Sequence, residues 1–217
     1  SRNANDKFDY DFFKRRIEYA LSYRMKVMPN DLNAFRLIYG EADFLSGLTV
    51  DKFNDVLVCQ ILSLGIDVRK DIILKALYDV VSEYFKVRGI YLRCDVALRE
   101  KEGLEEYVGW YDKIPVTSQE TTTEIIENDL KYLVDFKEGQ KTGFFLDQKY
   151  NRLTIRNLAK DMTVLDCCTH TGSFAMNAAL GGAKKVTALD ISEKALEDAK
   201  KNFELNNLNI DTCCADL

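Results

Sequence analysis

The sequence contains little proline, a single histidine and no long apolar run. Its 217 residues include 2 prolines and 11 glycines, too few for an extended flexible linker, and no segment has the biased composition of a disordered region. Charged residues interrupt every apolar stretch well before the roughly 20 residues that a membrane-spanning helix requires. The start of the chain offers no apolar core for a signal peptide. We therefore expect a cytoplasmic protein that acts away from membranes.

Cysteine is present, but its pattern disfavours a metal site. The six cysteines stand at positions 59, 94, 167, 168, 213 and 214. Adjacent pairs lack the Cys-x2–4-Cys spacing of a tetrahedral zinc site, and one histidine adds only one further ligand. We predict that the chain holds no metal and that these cysteines are buried, reduced thiols.

The formal net charge of −5 is not that of a domain that binds phosphates over its whole surface. One segment, 12–26, does combine cations with aromatic residues. Such a mixture can bind an RNA backbone and stack bases, or it can be the solvated face of an amphipathic helix whose aromatic residues lie in the core. We favour the solvated face and keep RNA binding open for four residues, Lys14, Arg15, Arg16 and Arg24.

The first half of the chain predicts a small α/β domain over 1–128. Apolar residues at helical spacing indicate a helix at 8–25, and Asn54-Asp55 is a strong turn signal between two short strands. Asp67 is a candidate cap for a helix that reaches about 85. The remaining predicted elements are a strand at 89–94 and a second hairpin at 122–136.

The second half, 129–217, alternates strands with helices. The predicted elements are a helix at 147–158, a strand at 162–167, a helix at 173–180, a strand at 185–190, a helix at 192–206 and a strand from 210. This order is typical of a doubly wound, Rossmann-like parallel sheet, of which three strands are the first half. We therefore expect an incomplete domain in which the helices at 174–180 and 195–205 have little to pack against. The predicted fold class is α/β throughout.

Each of the three predicted strands of this sheet has an aspartate at or just beyond its carboxyl end. Asp166 precedes a tight loop and a helix that begins after Gly172, where a helix N-terminus can hold a ligand. Asp190 can accept hydrogen bonds from ribose hydroxyls, and Asp216 from an adenine amino group. Each aspartate can instead be a simple helix cap. The loop has no Gly-x-Gly-x-x-Gly, so a ligand without a pyrophosphate is favoured.

Three blocks of the sequence resemble the bacterial 23S ribosomal RNA 5-methylcytosine methyltransferases. The block at 140–152 contains Lys-Thr-Gly-Phe-Phe-Leu-Asp-Gln-Lys-x-x-Arg, where that family has Lys-Thr-Gly-aromatic-aromatic-Leu-Asp-Gln-Arg-x-x-Arg. The blocks at 169–174 and 40–51 are similar to its Ser-Tyr-Thr-Gly-Gly-Phe loop and its Gly-Glu-x-Asp-x-Leu-Pro-Gly-Leu-x-Val-Asp segment. The similarity covers almost the whole chain. The departures are Lys149 for Arg, His170 for an aromatic residue, Ser173 for Gly and Ser46 for Pro.

This resemblance implies a class I methyltransferase that uses S-adenosyl-L-methionine. Residues 1–128 would be the family's central domain on the RNA side, with a PUA domain before it, and 129–217 would be the truncated first part of the methyltransferase domain. The implied cofactor-binding residues, from the pocket border through the methionine-side loop to the ribose and the adenine, are Phe145, Gln148, Arg152, Asp166, Thr171, Gly172, Asp190 and Asp216.

The resemblance also implies the reaction, which is methyl transfer to C5 of a cytosine in 23S ribosomal RNA. In that family a cysteine thiolate attacks C6 of the base, and a general base later removes the C5 proton. The nucleophilic cysteine and an Asp-Pro-Pro loop follow the third strand, so we expect the catalytic residues beyond Leu217 and assign none within the chain. These 217 residues alone are then expected to be inactive. Ribosomal RNA is the expected partner, and a homodimer is left open.

Two other functions stay open from the residues alone. A nicotinamide-dependent oxidoreductase has a related fold, but its usual glycine-rich loop is absent. A non-catalytic RNA-binding or scaffolding fragment would share the fold and bind the cofactor weakly or not at all.

Overall fold

The computed structural model describes residues 6–216, which form two compact units. The first unit comprises the chain up to Thr123 together with Val134–Phe144, and the second comprises Glu124–Leu133 with Phe145 onwards. Residues 1–5, from which we expected no signal peptide, and Leu217, beyond which we expected the catalytic residues, lie outside the described residues. Within the described part of the chain, no helix combines the length and the apolar character needed to cross a membrane.

The first unit is built on a mixed five-stranded sheet with the strand order β1-β2-β3-β4-β5. Strands β3 and β4 are parallel, and the other neighbours are antiparallel. Helices α1 and α3 pack against each other and close the core. The elements are α1 (Tyr10–Val27), β1 (Ala34–Tyr39), β2 (Leu48–Phe53), β3 (Val56–Ile61), α2 (Leu64–Asp67), α3 (Lys70–Ser82), β4 (Gly89–Cys94), α4 (Leu98–Lys101) and β5 (Tyr107–Trp110).

Local signals explain where α1 and the first hairpin form. The Asp9 carboxylate accepts a hydrogen bond from the Phe12 amide at 3.1 Å and caps α1. The apolar positions that we predicted for this helix are buried. Between β2 and β3 the chain turns at Asn54, whose φ of 48° is a left-handed conformation that asparagine tolerates better than most residues. The predicted helix and hairpin are therefore confirmed.

Three details of the first unit differ from the prediction. Asp67 does not cap the long helix, because it ends α2, and its carboxylate instead binds Lys70 and Arg99. The apolar spacing of the sequence predicts Ile72 in the buried stripe of α3, but its side chain is exposed. Strand β1 escaped prediction because it lacks polar alternation, and β5 because it is a short, largely exposed edge strand.

A buried aspartate joins two of the sequence blocks inside the first unit. The Asp51 carboxylate, at the end of the 40–51 block, binds the Arg36 guanidinium at 2.8 and 2.9 Å. It also accepts a hydrogen bond from the Thr142 hydroxyl at 2.6 Å. The next residue, Gly143, has a φ of 127°, and a Cβ there would lie 2.9 Å from Val134 Cγ1. Thr142 and Gly143 of the 140–152 block thus serve packing, whereas Lys141 is exposed.

The second unit contains a three-stranded parallel sheet with the order β10-β9-β8. This order and the alternation of strands with helices confirm the predicted α/β class with a Rossmann-like half-sheet. The elements are α5 (Lys149–Leu158), β8 (Thr163–Cys167), α6 (Ser173–Leu180), β9 (Lys185–Asp190), α7 (Glu193–Leu205) and β10 (Asp211–Cys214). Strand β8 lies at one edge of the sheet, and its Leu165 is 55% exposed.

Helices α6 and α7 are better packed than we expected. Met176 of α6 and Phe203 of α7 are buried, so the expectation that these helices have little to pack against is wrong. Two buried or half-buried asparagines supply part of the explanation. The side chains of Asn202 and Asn206 accept hydrogen bonds from the backbone amides of Leu133 and Lys131, both at 2.8 Å.

The hairpin of β6 (Thr122–Glu127) and β7 (Leu130–Asp135) contributes residues to both units. Its turn lies at Asn128 and Asp129, both with positive φ. The boundary that we placed between 128 and 129 therefore falls at the tip of this hairpin. The division of roles between the two halves stays a prediction.

An ion pair with almost no solvent exposure anchors the hairpin within the second unit. Arg152 of α5 binds both carboxylate oxygens of Glu127, at 2.6 and 2.9 Å, and each side chain is 1% exposed. The same guanidinium donates to the Phe145 carbonyl at 2.9 Å. A buried charge that loses its partner is costly, because the remaining group is neither hydrated nor paired.

We expect Arg152→Met to lower the free energy of unfolding by about 3–5 kcal/mol, because Glu127 would be left as an unpaired buried charge. Lys185→Met is the matched control, since Lys185 pairs with Asp211 and both side chains are 62% exposed. The control should change stability by less than about 1 kcal/mol. Urea denaturation measures both variants, and equal losses would contradict this role of the Arg152–Glu127 pair.

Candidate cofactor site

The loop between β8 and α6 is organised by the carboxylate of Asp166. Its Oδ2 accepts hydrogen bonds from the Thr169 hydroxyl at 2.5 Å and from the Ala175 amide at 3.0 Å. The second contact satisfies one of the N–H groups in the first turn of α6, which has no intrahelical partner. Burial raises the pKa of Asp166, although the two hydrogen bonds oppose that shift. The strand end, the loop and the helix are thus tied to one acid.

The loop itself has an unusual backbone. Cys168, His170 and Gly172 all have positive φ angles, of 56°, 52° and 76°. The Gly172 amide donates to the Thr169 carbonyl at 2.9 Å, which closes the turn. At Gly172 a Cβ would lie 2.3 Å from Phe203 Cε1, so the position excludes a larger residue. Glycine is therefore required here by both conformation and space.

Asp190 joins this loop to the end of β9. One of its carboxylate oxygens accepts from the His170 amide and the other from the Ser192 amide, both at 2.9 Å. The Ala215 amide donates to the Asp190 carbonyl at 3.2 Å, which brings the chain after β10 to the same sheet edge. Asp216 follows directly and is exposed. The three predicted aspartates therefore lie at or just beyond the carboxyl ends of three neighbouring parallel strands.

An aromatic contact links the loop to the segment before α5. The rings of Phe145 and His170 meet edge to face, with their centroids 5.7 Å apart. Burial lowers the pKa of His170, since a charged imidazole would lose hydration in this position. The structure thus gives His170 the packing role that an aromatic residue would have.

The other predicted site residues form hydrogen bonds within the protein. Thr171 is half-buried, and its carbonyl accepts from the Asn202 side chain at 3.0 Å. Gln148 is half-buried and accepts from the Asn151 side chain at 2.9 Å. Arg152 donates hydrogen bonds to the Glu127 carboxylate and to the Phe145 carbonyl, so it holds the position of Phe145. Direct contact of these residues with a cofactor stays a prediction.

Two residues that shape the site were not predicted from the sequence. Thr169 binds Asp166 through its hydroxyl and donates its amide to the Leu189 carbonyl at 2.9 Å. Phe203, thirty-one positions after Gly172, fills the space beside that glycine. Thr169 belongs to a recognisable loop block, but no local signal relates Phe203 to it.

The cysteines beside this site are not all buried. Cys59 and Cys94, in the first unit, are buried as expected. Cys167, Cys168, Cys213 and Cys214 are exposed, because they lie at the ends of the edge strands β8 and β10 or in the loop. The prediction of buried thiols is therefore wrong for these four.

The basic segment of α1 lies in the first unit, and three of its four candidate RNA-binding residues have acidic partners. Lys14 lies 3.8 Å from Glu18, and Arg15 lies 3.5 Å from Asp6. Arg24 binds Asp43 through both terminal nitrogens, at 2.5 and 2.7 Å. Arg16 differs, because it lies between the rings of Phe12 and Phe44. Tyr19 and Tyr23 are exposed, which corrects the expectation that the aromatic residues of this helix lie in the core.

Comparisons with known proteins identify the family. The sequence profile of the S-adenosylmethionine-dependent methyltransferase family matches residues 98–214, more than half of the chain. The curated relatives include the ribosomal RNA large subunit methyltransferase I of Pseudoalteromonas translucida, 42% identical over 214 residues. The protein of the same name from Aeromonas salmonicida is 44% identical over 212 residues. These alignments cover 97% and 96% of this chain but 52% and 51% of the relatives, so the chain spans about half of their length.

Solved structures agree on the fold. A putative S-adenosylmethionine-dependent methyltransferase from Streptococcus mutans superposes with a TM-score of 0.81 at 23% identity, covering 98% of this chain and 54% of that one. A putative methyltransferase complexed with SAH gives a TM-score of 0.82 at 23% identity, with 98% and 53% covered. The chain belongs to the S-adenosylmethionine-dependent methyltransferase family.

Two glycines allow a matched test of the loop. We expect Gly172→Ala to lower the free energy of unfolding by about 2–5 kcal/mol, since it adds steric overlap with Phe203 to backbone strain. Gly182→Ala should lower the free energy of unfolding by only about 1–2 kcal/mol, because it adds backbone strain alone. Its φ is 86°, but the nearest atom to the added Cβ is Lys160 Cγ at 3.9 Å. Chemical denaturation compares the two, and equal losses would exclude tight packing at Gly172.

His170 is the only histidine of the chain, so its NMR titration can be assigned directly. We expect a midpoint below 6.5, because burial disfavours the charged ring. The unfolded chain then binds more protons just below pH 6.5, and stability is lost as the pH falls through that window. His170→Phe should reduce this loss of stability. A midpoint at or above 6.5 would show that the ring is solvated or paired.

Proposed function

We propose that this chain carries the S-adenosyl-L-methionine site of a methyltransferase that modifies large-subunit ribosomal RNA. The observation that supports this proposal most strongly is the acidic loop at the end of β8 and β9. Two carboxylates, Asp166 and Asp190, bind its backbone, and residues 166–174 contain neither Lys nor Arg. This charge distribution favours a ligand with positive groups.

The residues of the loop fit S-adenosyl-L-methionine better than a dinucleotide. The cofactor has an ammonium group and a sulfonium and no phosphate, so neighbouring carboxylates favour it. A pyrophosphate would need the helix N-terminus, where Asp166 already accepts from the Ala175 amide. Two like charges at that position repel each other. The nicotinamide-dependent alternative is therefore disfavoured.

The predicted roles of the individual residues follow the order of the strands. We assign Asp166, Thr171 and Gly172 to the methionine side of the cofactor, and Asp190 to the ribose hydroxyls. Asp216 would accept from the adenine amino group. When bound, the cofactor supplies an activated methyl group. The part of this chain is to bind and orient the cofactor, with Phe145 and His170 shielding one side of the loop from water.

Ribosomal RNA is the proposed substrate because the curated relatives are named as large-subunit ribosomal RNA methyltransferases. The finer assignment, C5 of a cytosine in 23S RNA, rests on the resemblance of the three sequence blocks. That chemistry requires a nucleophilic cysteine, and we assign none of the cysteines of this chain to it.

The cofactor assignment predicts a loss of affinity in Asp190→Ala. We expect S-adenosylhomocysteine to bind about 1.5–3 kcal/mol more weakly, the usual worth of hydrogen bonds to a charged group. Asp211→Ala is the control, because Asp211 begins β10 at the opposite end of the strand. Calorimetry gives both dissociation constants, and circular dichroism shows whether each variant is folded. An unchanged constant in a folded Asp190→Ala protein would remove Asp190 from the site.

The substrate assignment is tested in a full-length context. In a chimera, these 217 residues replace the matching segment of the Aeromonas salmonicida relative, which is 44% identical over 212 residues. We expect the chimera to transfer labelled methyl from S-adenosylmethionine to unmodified 23S RNA, and Asp190→Ala to slow the transfer when the cofactor is below saturation. Mass spectrometry of the nucleosides should identify 5-methylcytidine. Another methylated nucleoside would refute the C5 assignment and leave the cofactor assignment intact.

A further inference from the structure

A small cleft in the first unit combines exposed aromatic rings with cations. It has a volume of about 260 Å³, and its lining includes Phe8, Phe12, Phe44, Ser46, Ser63 and Arg69. The side chains of Phe8 and Phe44 are 50% and 60% exposed, although aromatic rings usually bury most of their surface. Among the described residues that line the cleft, Arg69 is the only charged one, and none is a carboxylate.

Three arginines lie over the rings of this cleft, and one of them, Arg15, has its guanidinium 5.8 Å from the centroid of Phe12. The guanidinium of Arg16 lies 5.1 Å from the centroid of Phe44 and 5.4 Å from that of Phe12. The guanidinium of Arg69 lies 5.7 Å from the centroid of Phe8. These distances are those of cation–π contacts, which keep each guanidinium flat against a ring. Each exposed ring of the cleft therefore carries a cation beside it.

Arg16 and Arg69 differ from their neighbours in having no acidic partner. Among residues 6–216, no carboxylate lies within ion-pair distance of Arg16 or Arg69, whereas Arg15 pairs with Asp6 and Arg24 with Asp43. The Nε of Arg16 is buried without a hydrogen-bond partner. Arg69 donates only to the Gly65 carbonyl, at 3.1 Å. The charge of both guanidinium groups is thus not neutralised within the described part of the chain.

Two acids that contact the segments lining the cleft form hydrogen bonds within the protein. Glu41 accepts a hydrogen bond from the Ser46 hydroxyl, and Glu102 accepts one from the Leu64 amide at 3.2 Å. The lining is therefore apolar and aromatic, with the guanidinium groups of Arg16 and Arg69 beside its rings. That combination matches a nucleotide of a single strand, whose base stacks on an aromatic ring while its phosphate pairs with arginine.

We propose that this cleft binds an unpaired nucleotide of the RNA substrate. The base stacks on Phe44 or Phe8, and Arg16 and Arg69 contact the adjacent phosphates. This assignment rests on the proposed function, in which the substrate is RNA. It places the RNA contact of α1 at Arg16, which the sequence had grouped with Lys14, Arg15 and Arg24, and adds residues that the sequence had not indicated.

The test is fluorescence anisotropy with a fluorescein-labelled oligocytidylate of about 12 nucleotides, a length within the usual site sizes of single-strand binders. Phe44→Ala should weaken binding roughly five- to a hundredfold, the loss typical of one stacked base. Tyr84→Ala, which removes an aromatic side chain that is 56% exposed near the end of α3, should leave it unchanged. Arg16→Gln should lower the salt slope by about 0.7 unit, as for one lost phosphate contact on a single strand. Lys113→Gln is its control, because Lys113 is 60% exposed and pairs with Asp71 outside the cleft.

Binding of S-adenosylhomocysteine, measured on the same proteins, separates this proposal from the proposed function. If the chain binds S-adenosylhomocysteine but Phe44→Ala and Tyr84→Ala bind RNA equally, the cleft assignment is wrong and the cofactor assignment stands. If Phe44→Ala loses RNA affinity and Tyr84→Ala does not, while the chain fails to bind S-adenosylhomocysteine, the cleft assignment is supported and the cofactor assignment is wrong. Equal salt slopes for Arg16→Gln and the unmodified chain would also overturn the phosphate contact. Thermal unfolding confirms that each variant is folded.

Discussion

The hydrogen bonds of the Asp166 carboxylate hold the loop after β8 in its shape. Two non-glycine residues in that loop adopt left-handed backbone conformations, each of which costs about 1–2 kcal/mol. A charge-assisted hydrogen bond contributes about 1.5–3 kcal/mol, so the contacts of Asp166 with Thr169 and Ala175 can offset the strain. Asp190 adds a further contact at the His170 amide. The loop is therefore preorganised by acids, and those same acids give the site its negative charge.

In the first unit, the buried carboxylate of Asp51 also holds separate segments of the chain together. Asp51 neutralises Arg36 and binds Thr142, so two distant sequence blocks meet at one carboxylate. Asp51 is fully buried, and its contacts serve the packing of the sheet. The sequence blocks that resemble the methyltransferase family thus have different roles in the two units. In the 140–152 block, Thr142 and Gly143 support the core, and Phe145 lies beside the candidate cofactor loop.

The sequence predicted those elements whose signals are local. Strand β9 and helix α6 match their predicted bounds, because apolar runs and glycines delimit them clearly. Strand β1 was missed because it lacks polar alternation, and because Asp51, which pairs with Arg36 in the middle of the strand, lies fifteen positions away in the sequence. The site aspartates could be predicted from their positions after strands. The contact of Phe203 with Gly172 and that of Asn202 with Leu133 could not, because only the tertiary fold brings these residues together.

The central claim is that an acid-lined loop selects a cofactor without phosphates, and parallel calorimetric titrations of the unmodified chain test it most directly. One titration uses S-adenosylhomocysteine and the other uses NAD, at the same protein concentration and ionic strength. We predict saturable binding of S-adenosylhomocysteine with one site per chain, and no measurable heat from NAD. Tighter binding of NAD would contradict the account, since a pyrophosphate would then be accepted beside Asp166 and Asp190.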